Sequence, residues 1–349
     1  MKKIRWEGQI EDARIALKNQ GLNCREIADT LSYMFNYNIT KDMVYGREKT
    51  LKKKLNLQNT NIVSENIKQN VISNQLFDDE LYNTKDKYIL SEQTKIKMKE
   101  IWELFNTSGS KKIFNISDLH APYINFEKLE IAIKDNLDCD ICVLNGDIFD
   151  GESMSSFDKL NELNSSEEFK QVRQVLDILN DKFKYVVWIG GNHDFQRFYR
   201  YICKNIKSGL RQYAFDRLNP IKYLSEGYDN VITIDHNTIE IGDVVFKHPN
   251  GYSNVEMKTV INENDILYAN RYDLPNPNFR AVIIGHTHYA GEYIKNGVKL
   301  METGCMCYMP DYRFTNPVKK RWVTAYARIE LDNNNNIIFN KSHLVYLDD

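Results

Sequence analysis

The chain has 349 residues, 42% of them hydrophobic and 27% charged, with a formal net charge of −2. That length holds one large domain, or a large one with a small companion, and two domains are expected. A balance so near neutrality excludes bulk attraction to nucleic acid or to an anionic membrane, so any such attraction must come from local charge.

The N-terminal stretch MKKIRWEGQIEDARIALK carries a charge every few residues and lacks the apolar core of a secretory signal. No run approaches the length needed to span a bilayer. Six scattered cysteines in a chain of this size fit a reducing compartment, so a cytoplasmic protein with no membrane partner is expected. Cys139 and Cys142 form a C-x-x-C and Cys305 and Cys307 a C-x-C, spacings that suggest zinc. Both pairs lie in or beside strand-like segments and are read as buried structural thiols.

Residues 5 to 55 read as three short helices. Trp6, Ile10, Ala13 and Leu17 recur at helical spacing, as do Ile27, Leu31 and Met34 after an Asn23/Glu26 capping pair. A third helix should start after Thr40, with Met43, Val44, Leu51 and Leu55 facing the other two. Lys41, Arg47, Lys49, Lys52, Lys53 and Lys54 then point largely outward. Residues 1 to 54 hold 12 Lys or Arg against 7 Asp or Glu, so this end is basic and the remainder acidic. The stretch CREIADTLSYMFNYNITKDMVYGREK resembles a helix-turn-helix, whose basic third helix would lie along a DNA groove. A solvated face or a protein-docking surface is the plain alternative.

From about 56 to 88 the chain is Asn-rich and weakly periodic, which reads as a linker. A docking helix near 92 to 106 follows, with Met98, Ile101, Trp102 and Phe105 on one side. From 111 onward short apolar strands (KIFNIS, DICVLN, KYVVWIG, DVVFKH, RAVIIG) alternate with helices. The clearest helix spans 166 to 183 behind a Ser165/Glu168 capping box. Such alternation predicts a layered α/β domain with strands buried on both faces. The tail from 321 reads as a β-hairpin turning at the Asn run.

Each predicted strand stops at a polar cluster. In order these are Asp118-Leu119-His120, Gly146-Asp147-Ile148-Phe149-Asp150, Gly191-Asn192-His193-Asp194, His248, and Gly285-His286-Thr287-His288. Five of the seven histidines are used in this way. Ligands of open α/β sheets gather beyond the carboxyl ends of strands, so the clusters should converge. In an extended segment His286 and His288 would share a face. Oxygen and imidazole donors suit Mn²⁺, Fe²⁺ or Zn²⁺, and the set exceeds what one tetrahedral ion needs, which points to two ions sharing a carboxylate.

The ordered motifs DLH, GDIFD, GNHD, a lone His and GHTH resemble the calcineurin-like metallophosphoesterase superfamily over residues 111 to 349. The resemblance implies a four-layer α/β/β/α sandwich, here with a small all-α N-terminal domain. The domain limits are then 1–55 for the helix-turn-helix-like part, 56–110 for linker and docking helix, and 111–349 for the catalytic part. It implies one ion on Asp118, His120, Asp147 and His288, and a second on Asp147, Asn192, His248 and His286, with Mn²⁺ the leading metal. Two such ions would acidify a bridging water for in-line attack on phosphorus. His193 is the candidate general acid, oriented by Asp150. His236 and His343 match no motif and read as hairpin or surface histidines.

Departures from the family narrow the substrate. Protein Ser/Thr phosphatases of this superfamily carry an arginine where Gly151 stands and a glutamate where Asp194 stands, which argues against that activity. The segment FDKLNELNSS looks like an inserted helical rim. Arg197, Arg200, Arg313, Lys319, Lys320 and Arg321, interleaved with Tyr199, Tyr308, Tyr312 and Phe314, suggest a strand-binding groove, with ordinary rim packing as the alternative. The expected activity is therefore a metal-dependent phosphodiesterase acting on DNA. The alternative is a hydrolase of cyclic or linear nucleotides whose N-terminal module binds a protein partner; self-assembly stays open.

Overall fold

The computed structural model describes residues 9–19, 23–35, 39–49, 92–155, 165–308 and 322–347. The chain divides into two compact units, residues 1–85 and 86–349.

In the first unit, helices Gln9–Asn19, Cys24–Phe35 and 41–49 enclose a small core of Ile27, Ala28, Leu31, Ile39 and Val44. Asn23 and Glu26 form the capping box their spacing predicts: Asn23 N donates to Glu26 Oε2 at 2.8 Å, and Glu26 N to Asn23 Oδ1 at 3.2 Å. Met34 departs from the expected apolar stripe and is exposed. Trp6, Leu51 and Leu55 lie outside the described residues.

Among the described residues the basic face is smaller than its sequence suggests. Arg14 is buried and bonded to Glu11 at 2.9 Å and to Glu48, and Arg47, expected to point outward, binds Glu11 at 3.3 Å. Lys41 and Lys49 are exposed; Lys52, Lys53 and Lys54 lie outside the described residues.

The second unit is built on two sheets flanked by helices. The first sheet has the order β11-β10-β1-β2-β3-β4, formed by β1 (Lys112–Ile116), β2 (Ile141–Asn145), β3 (Tyr185–Ile189), β4 (Val231–Ile234), β10 (Ala325–Glu330) and β11 (His343–Tyr346). β1 to β4 run parallel, and β10 and β11 close one edge antiparallel. That edge is the tail hairpin, with the Asn run at its turn: Leu331 bridges Ile337 across it.

The second sheet has the order β5-β6-β7-β9-β8, from β5 (Thr238–Ile241), β6 (Val244–Lys247), β7 (Ala281–Ile284), β8 (Ala290–Lys295) and β9 (Val298–Thr303). Its central strands β6, β7 and β9 are parallel.

The two sheets share a core. Ile113, Ile141, Val143, Val187 and Ile189 of the first sheet join Val245, Val282, Ile283 and Met301 of the second in one apolar cluster. Helix Glu92–Thr107 adds Met98, Ile101 and Phe105 to it, and Trp102 Nε1 donates to Gly242 O at 2.8 Å. Helix Ser165–Lys182 buries Val172, Val175, Leu176 and Leu179. Its Glu168 is also buried, with Oε1 accepting from Glu152 N at 3.1 Å. Parallel strands set side by side bring their carboxyl ends to one edge, and that edge carries the polar clusters.

Glu240 of β5 is a stability liability within this core. It is 1% exposed, Oε2 accepts from Asn276 N at 2.9 Å, and Oε1 has no hydrogen-bond partner among the described residues. Burial pushes its pKa up to about 8 from the ordinary 4.5. A folded pKa above the unfolded one means that the neutral carboxyl favours the fold, so this contribution is lost as pH rises from about 4.5 to about 8. Glu240→Gln keeps the acceptor for Asn276 and abolishes the titration. The variant should melt higher than the unaltered chain at pH 8, by up to about 1.4 kcal/mol per pH unit of separation, and little differently at pH 5. Equal melting temperatures at pH 8 would refute this.

Candidate metal centre

The loops after β1, β2, β3, β6 and β7 supply the site, and their backbones are bent to do so. Asp118, His120, Asp147, His286 and His288 all have positive φ, between 46° and 76°. Non-glycine residues rarely enter this left-handed region, and when they do the strain concentrates at functional positions. His286 and His288 are therefore not aimed by strand alternation as their spacing suggests: β7 ends at Ile284, and two left-handed turns direct the rings. Gly146, at φ 78°, must be glycine because a Cβ would fall on the His248 ring, and one at Gly191 would fall on the Asp147 carboxylate.

Two nests of donors result. In the first, His288 Nε2 lies 3.2 Å from Asp118 Oδ1 and 3.2 Å from His120 Nε2, which is itself 3.7 Å from Asp118 Oδ1. In the second, His248 Nε2 lies 3.1 Å from both Asp147 Oδ2 and Asn192 Oδ1, and His286 completes a group with Asp147 and His248. Asp147 Oδ2 is also 3.9 Å from His120 Nε2, so one carboxylate oxygen stands between the nests. The other Asp147 oxygen accepts from His193 N at 2.7 Å, and Asp118 Oδ2 accepts from His286 N at 2.8 Å.

Tautomers follow from the outer partners. His248 Nδ1 faces Asn145 O at 2.8 Å, and His120 Nδ1 faces Asp150 Oδ1 at 3.1 Å. Acceptors there require N–H at both Nδ1 atoms, so the two Nε2 atoms bring lone pairs toward other lone pairs. Asp118 Oδ1 and His286 Nε2 are buried with no hydrogen-bond partner among the described residues. A set of acceptors aimed at one another fits a cation.

The electrostatics agree. Burial alone would raise the Asp118 carboxyl, but His288 and His120 hold it well below the usual range, and His248 does the same for Asp147. Burial would likewise lower His248 and His288, yet Asp147 and Asp118 push each up to about 9. His286 goes the other way, down to about 3, through burial and the neighbouring His248. The acidic centre draws in positive charge.

His193 sits beside both nests, its Nε2 4.0 Å from Asp147 Oδ2, and groups with His120 and Asp150. Its Nδ1 lies 2.9 Å from Asp150 Oδ1, the same oxygen that holds His120. Arg197 closes this array: Nη1 donates to Asp150 O at 2.7 Å and Oδ2 at 3.1 Å, and Nη2 lies 3.1 Å from His193 Nε2. Asn192 to Gln196 form a single π-helical turn, the irregularity that lets Asn192 and His193 face the site together. Asp194 locks that turn, accepting from Ile148 N at 3.0 Å and Trp188 Nε1 at 3.1 Å, and burial beside Asp147 pushes it up to about 6.

A family model for calcineurin-like phosphoesterases matches residues 111–290, just over half of the chain. The chain belongs to that family. It is a metal-dependent phosphoesterase, in keeping with the Asp and His groups able to hold ions. Among solved structures, an archaeal phosphodiesterase is 15% identical, with 68% of this chain and 99% of that one covered at a TM-score of 0.35. Vacuolar Protein Sorting 29 of Cryptosporidium parvum is 12% identical, with 68% and 96% covered at 0.35. A hypothetical protein of Pyrococcus horikoshii is 11% identical, with 68% and 88% covered at 0.40. No curated protein sequence matches the chain.

The structure brings Asp118, His120, Asp147, Asp150, Asn192, His193, His248, His286 and His288 together at one sheet edge. Of the wider set of cations, those among the described residues are not gathered. Arg197 points inward, Arg200 is exposed with a 3.5 Å contact to Gln196, and Arg313, Lys319, Lys320 and Arg321 lie outside the described residues. Tyr199, a candidate base-stacking ring, is buried with Phe195 and Phe198 around Phe215. Tyr308 is exposed; Tyr312, Phe314 and most of FDKLNELNSS are also outside the described residues. His343 is exposed, as expected, whereas His236 is partly buried. Cys139 and Cys142 are buried, but Cys305 and Cys307 lie beside His288. Sequence reasoning missed Asp194 as a lock and Arg197 as a partner of His193. The run GNHD-F-Q-R held the signal, because a helix starting at Asn192 returns Arg197 to the face of His193.

Proposed function

We propose that the protein hydrolyses phosphodiester bonds at a two-ion centre. One ion would rest on Asp118, His120, Asp147 and His288, and the other on Asp147, Asn192, His248 and His286. The observation that carries this is Asp147 Oδ2, which lies 3.1 Å from His248 Nε2 and 3.9 Å from His120 Nε2. The oxygen and imidazole donors suit Mn²⁺, with Fe²⁺ or Zn²⁺ next. Divalent ions bound there acidify water and offset negative charge on a phosphoryl group.

The chain's own part is proton delivery. Asp150 holds His193 by Nδ1, so Nε2 is the atom that would donate to the leaving oxygen. Arg197 Nη2 occupies that position, and its guanidinium must give way to the phosphate whose charge it then faces. Gly151 and Asp194, in place of the phosphatase arginine and glutamate, favour a diester over a phosphoprotein.

DNA is our proposed substrate, supported by the excess of 12 basic over 7 acidic residues in positions 1–54. The bonding of Arg14 and Arg47 to Glu11 favours the second reading, a small-nucleotide hydrolase whose first unit binds protein. Replacing Lys41, Lys49, Lys52 and Lys53 together by Glu in the full chain separates them. A DNA enzyme should lose affinity for long DNA and flatten its salt dependence while still cleaving bis-p-nitrophenyl phosphate with Mn²⁺. Unchanged DNA affinity would reject the first reading, and no cleavage by the unaltered protein would reject both.

A further inference from the structure

The C-x-C after β9 is held against the metal centre by backbone bonds on both sides. Cys305 N donates to Val323 O at 2.9 Å, and Met306 N to Asp118 O at 3.1 Å. Cys305 bridges Thr324, and Cys307 bridges Ile124 from the other side. A bend at Met306 separates the two bridged cysteines and brings both thiols to the same neighbour. Both thiols are buried, 1% and 4% exposed. Their sulfurs and a ring nitrogen of His288 all lie within 4.8 Å of one another.

The second observation concerns His288 itself. Its Nε2 lies 3.2 Å from Asp118 Oδ1, while Nδ1 is buried with no oxygen or nitrogen partner among the described residues, and the ring's other side-chain partner is the Cys305 thiol. The corresponding nitrogen of His248 has a carbonyl oxygen, Asn145 O, at 2.8 Å. The oxygen acceptor that orients a ligating histidine is thus missing at His288, and sulfur stands close by. The Trp322 ring, 4.1 Å from that of His288 between centroids, walls the group off.

Two thiols and an imidazole are the donor set of a soft or borderline d¹⁰ cation, with Zn–S near about 2.3 Å and Zn–N near about 2.0 Å, and they disfavour Mg²⁺ or Mn²⁺. We propose that Cys305, Cys307 and His288 Nδ1 form a thiolate site for a zinc-class ion, distinct from the oxygen and imidazole centre and coupled to it through the shared ring. Loading it releases the two thiol protons, and, where Nε2 also holds an ion, the Nδ1 proton as well, so that the ring would then be gripped from both sides. The coupling, though not the site, rests on the reading of His288 as a ligand of the catalytic centre. Through that ring, a thiophilic ion would govern a centre that runs on harder ones.

Cobalt(II) titration of the full chain tests this, because only sulfur ligation gives an intense near-ultraviolet thiolate-to-cobalt band. The expected result is such a band, saturating with one equivalent and bleached by one equivalent of Zn²⁺. It should be absent from Cys305→Ser and Cys307→Ser chains that still unfold cooperatively. No band at any cobalt load in the unaltered protein overturns the site, as does a band that survives both substitutions. Hydrolysis of bis-p-nitrophenyl phosphate by the Mn²⁺-loaded protein is measured alongside. Its absence with the band present removes the catalytic reading and leaves the thiolate site standing.

Discussion

Replacing His193 with alanine should lower kcat on a phosphodiester by about 10²- to 10⁴-fold, the usual worth of a general acid, and should leave bound metal unchanged. The second half of that statement follows from which atoms of residue 193 do what. Its backbone N–H donates to Asp147 Oδ1 at 2.7 Å, and alanine keeps that bond. Its ring touches Asp150, Arg197 and the edge of the His120 ring, none of them through the metal-facing nitrogens of either nest. Asp150 Oδ1 still holds His120 Nδ1 at 3.1 Å after the ring is gone. Turnover on bis-p-nitrophenyl phosphate and metal per chain by atomic emission decide the matter. If both fall in proportion, His193 is a ligand and the assignment of the acid fails. Arg197→Ala is a control on the same array: it frees His193 Nε2 but removes a cation from Asp150, so KM should rise more than kcat falls.

The convergence of the polar clusters was legible because each follows an apolar strand, and parallel strands have no choice but to deliver their carboxyl ends to one edge. The capping box at Asn23 was legible for a similar reason, being a bond between residues three apart. What escaped depended on contacts made across the fold. Arg47 looks like a free cation until Glu11, 36 residues away, is seen beside it. Tyr199 looks like a stacking platform until Phe215 covers it. Cys305 and Cys307 are buried as read, but their nearness to His288 was hidden because His288 belongs to a different strand connection. The left-handed turns at His286 and His288 were hidden too, since residue spacing predicts a shared face only if the backbone stays extended.

Asp147→Asn should be the most damaging single change, taking metal content from two ions per chain toward none and hydrolysis to background. The carboxylate has two jobs that an amide cannot do together. Oδ1 must accept from His193 N at 2.7 Å, while Oδ2 faces His248 Nε2 at 3.1 Å and His120 Nε2 at 3.9 Å. An asparagine that keeps its oxygen toward His193 N turns an NH₂ group toward both nests, and the opposite flip sets donor against donor at His193. Either way the site loses the negative charge that lifts His248 to about 9 and that would bind the ions. Asp118→Asn is the instructive comparison. Its nest contains His120 and His288 but not His248, so the second ion should survive and metal content should fall by about half. Measuring both variants at equal Mn²⁺ separates a shared ligand from a private one. An Asp147→Asn chain that retains two ions, or one that binds no less than Asp118→Asn, would mean that the two nests do not share this carboxylate.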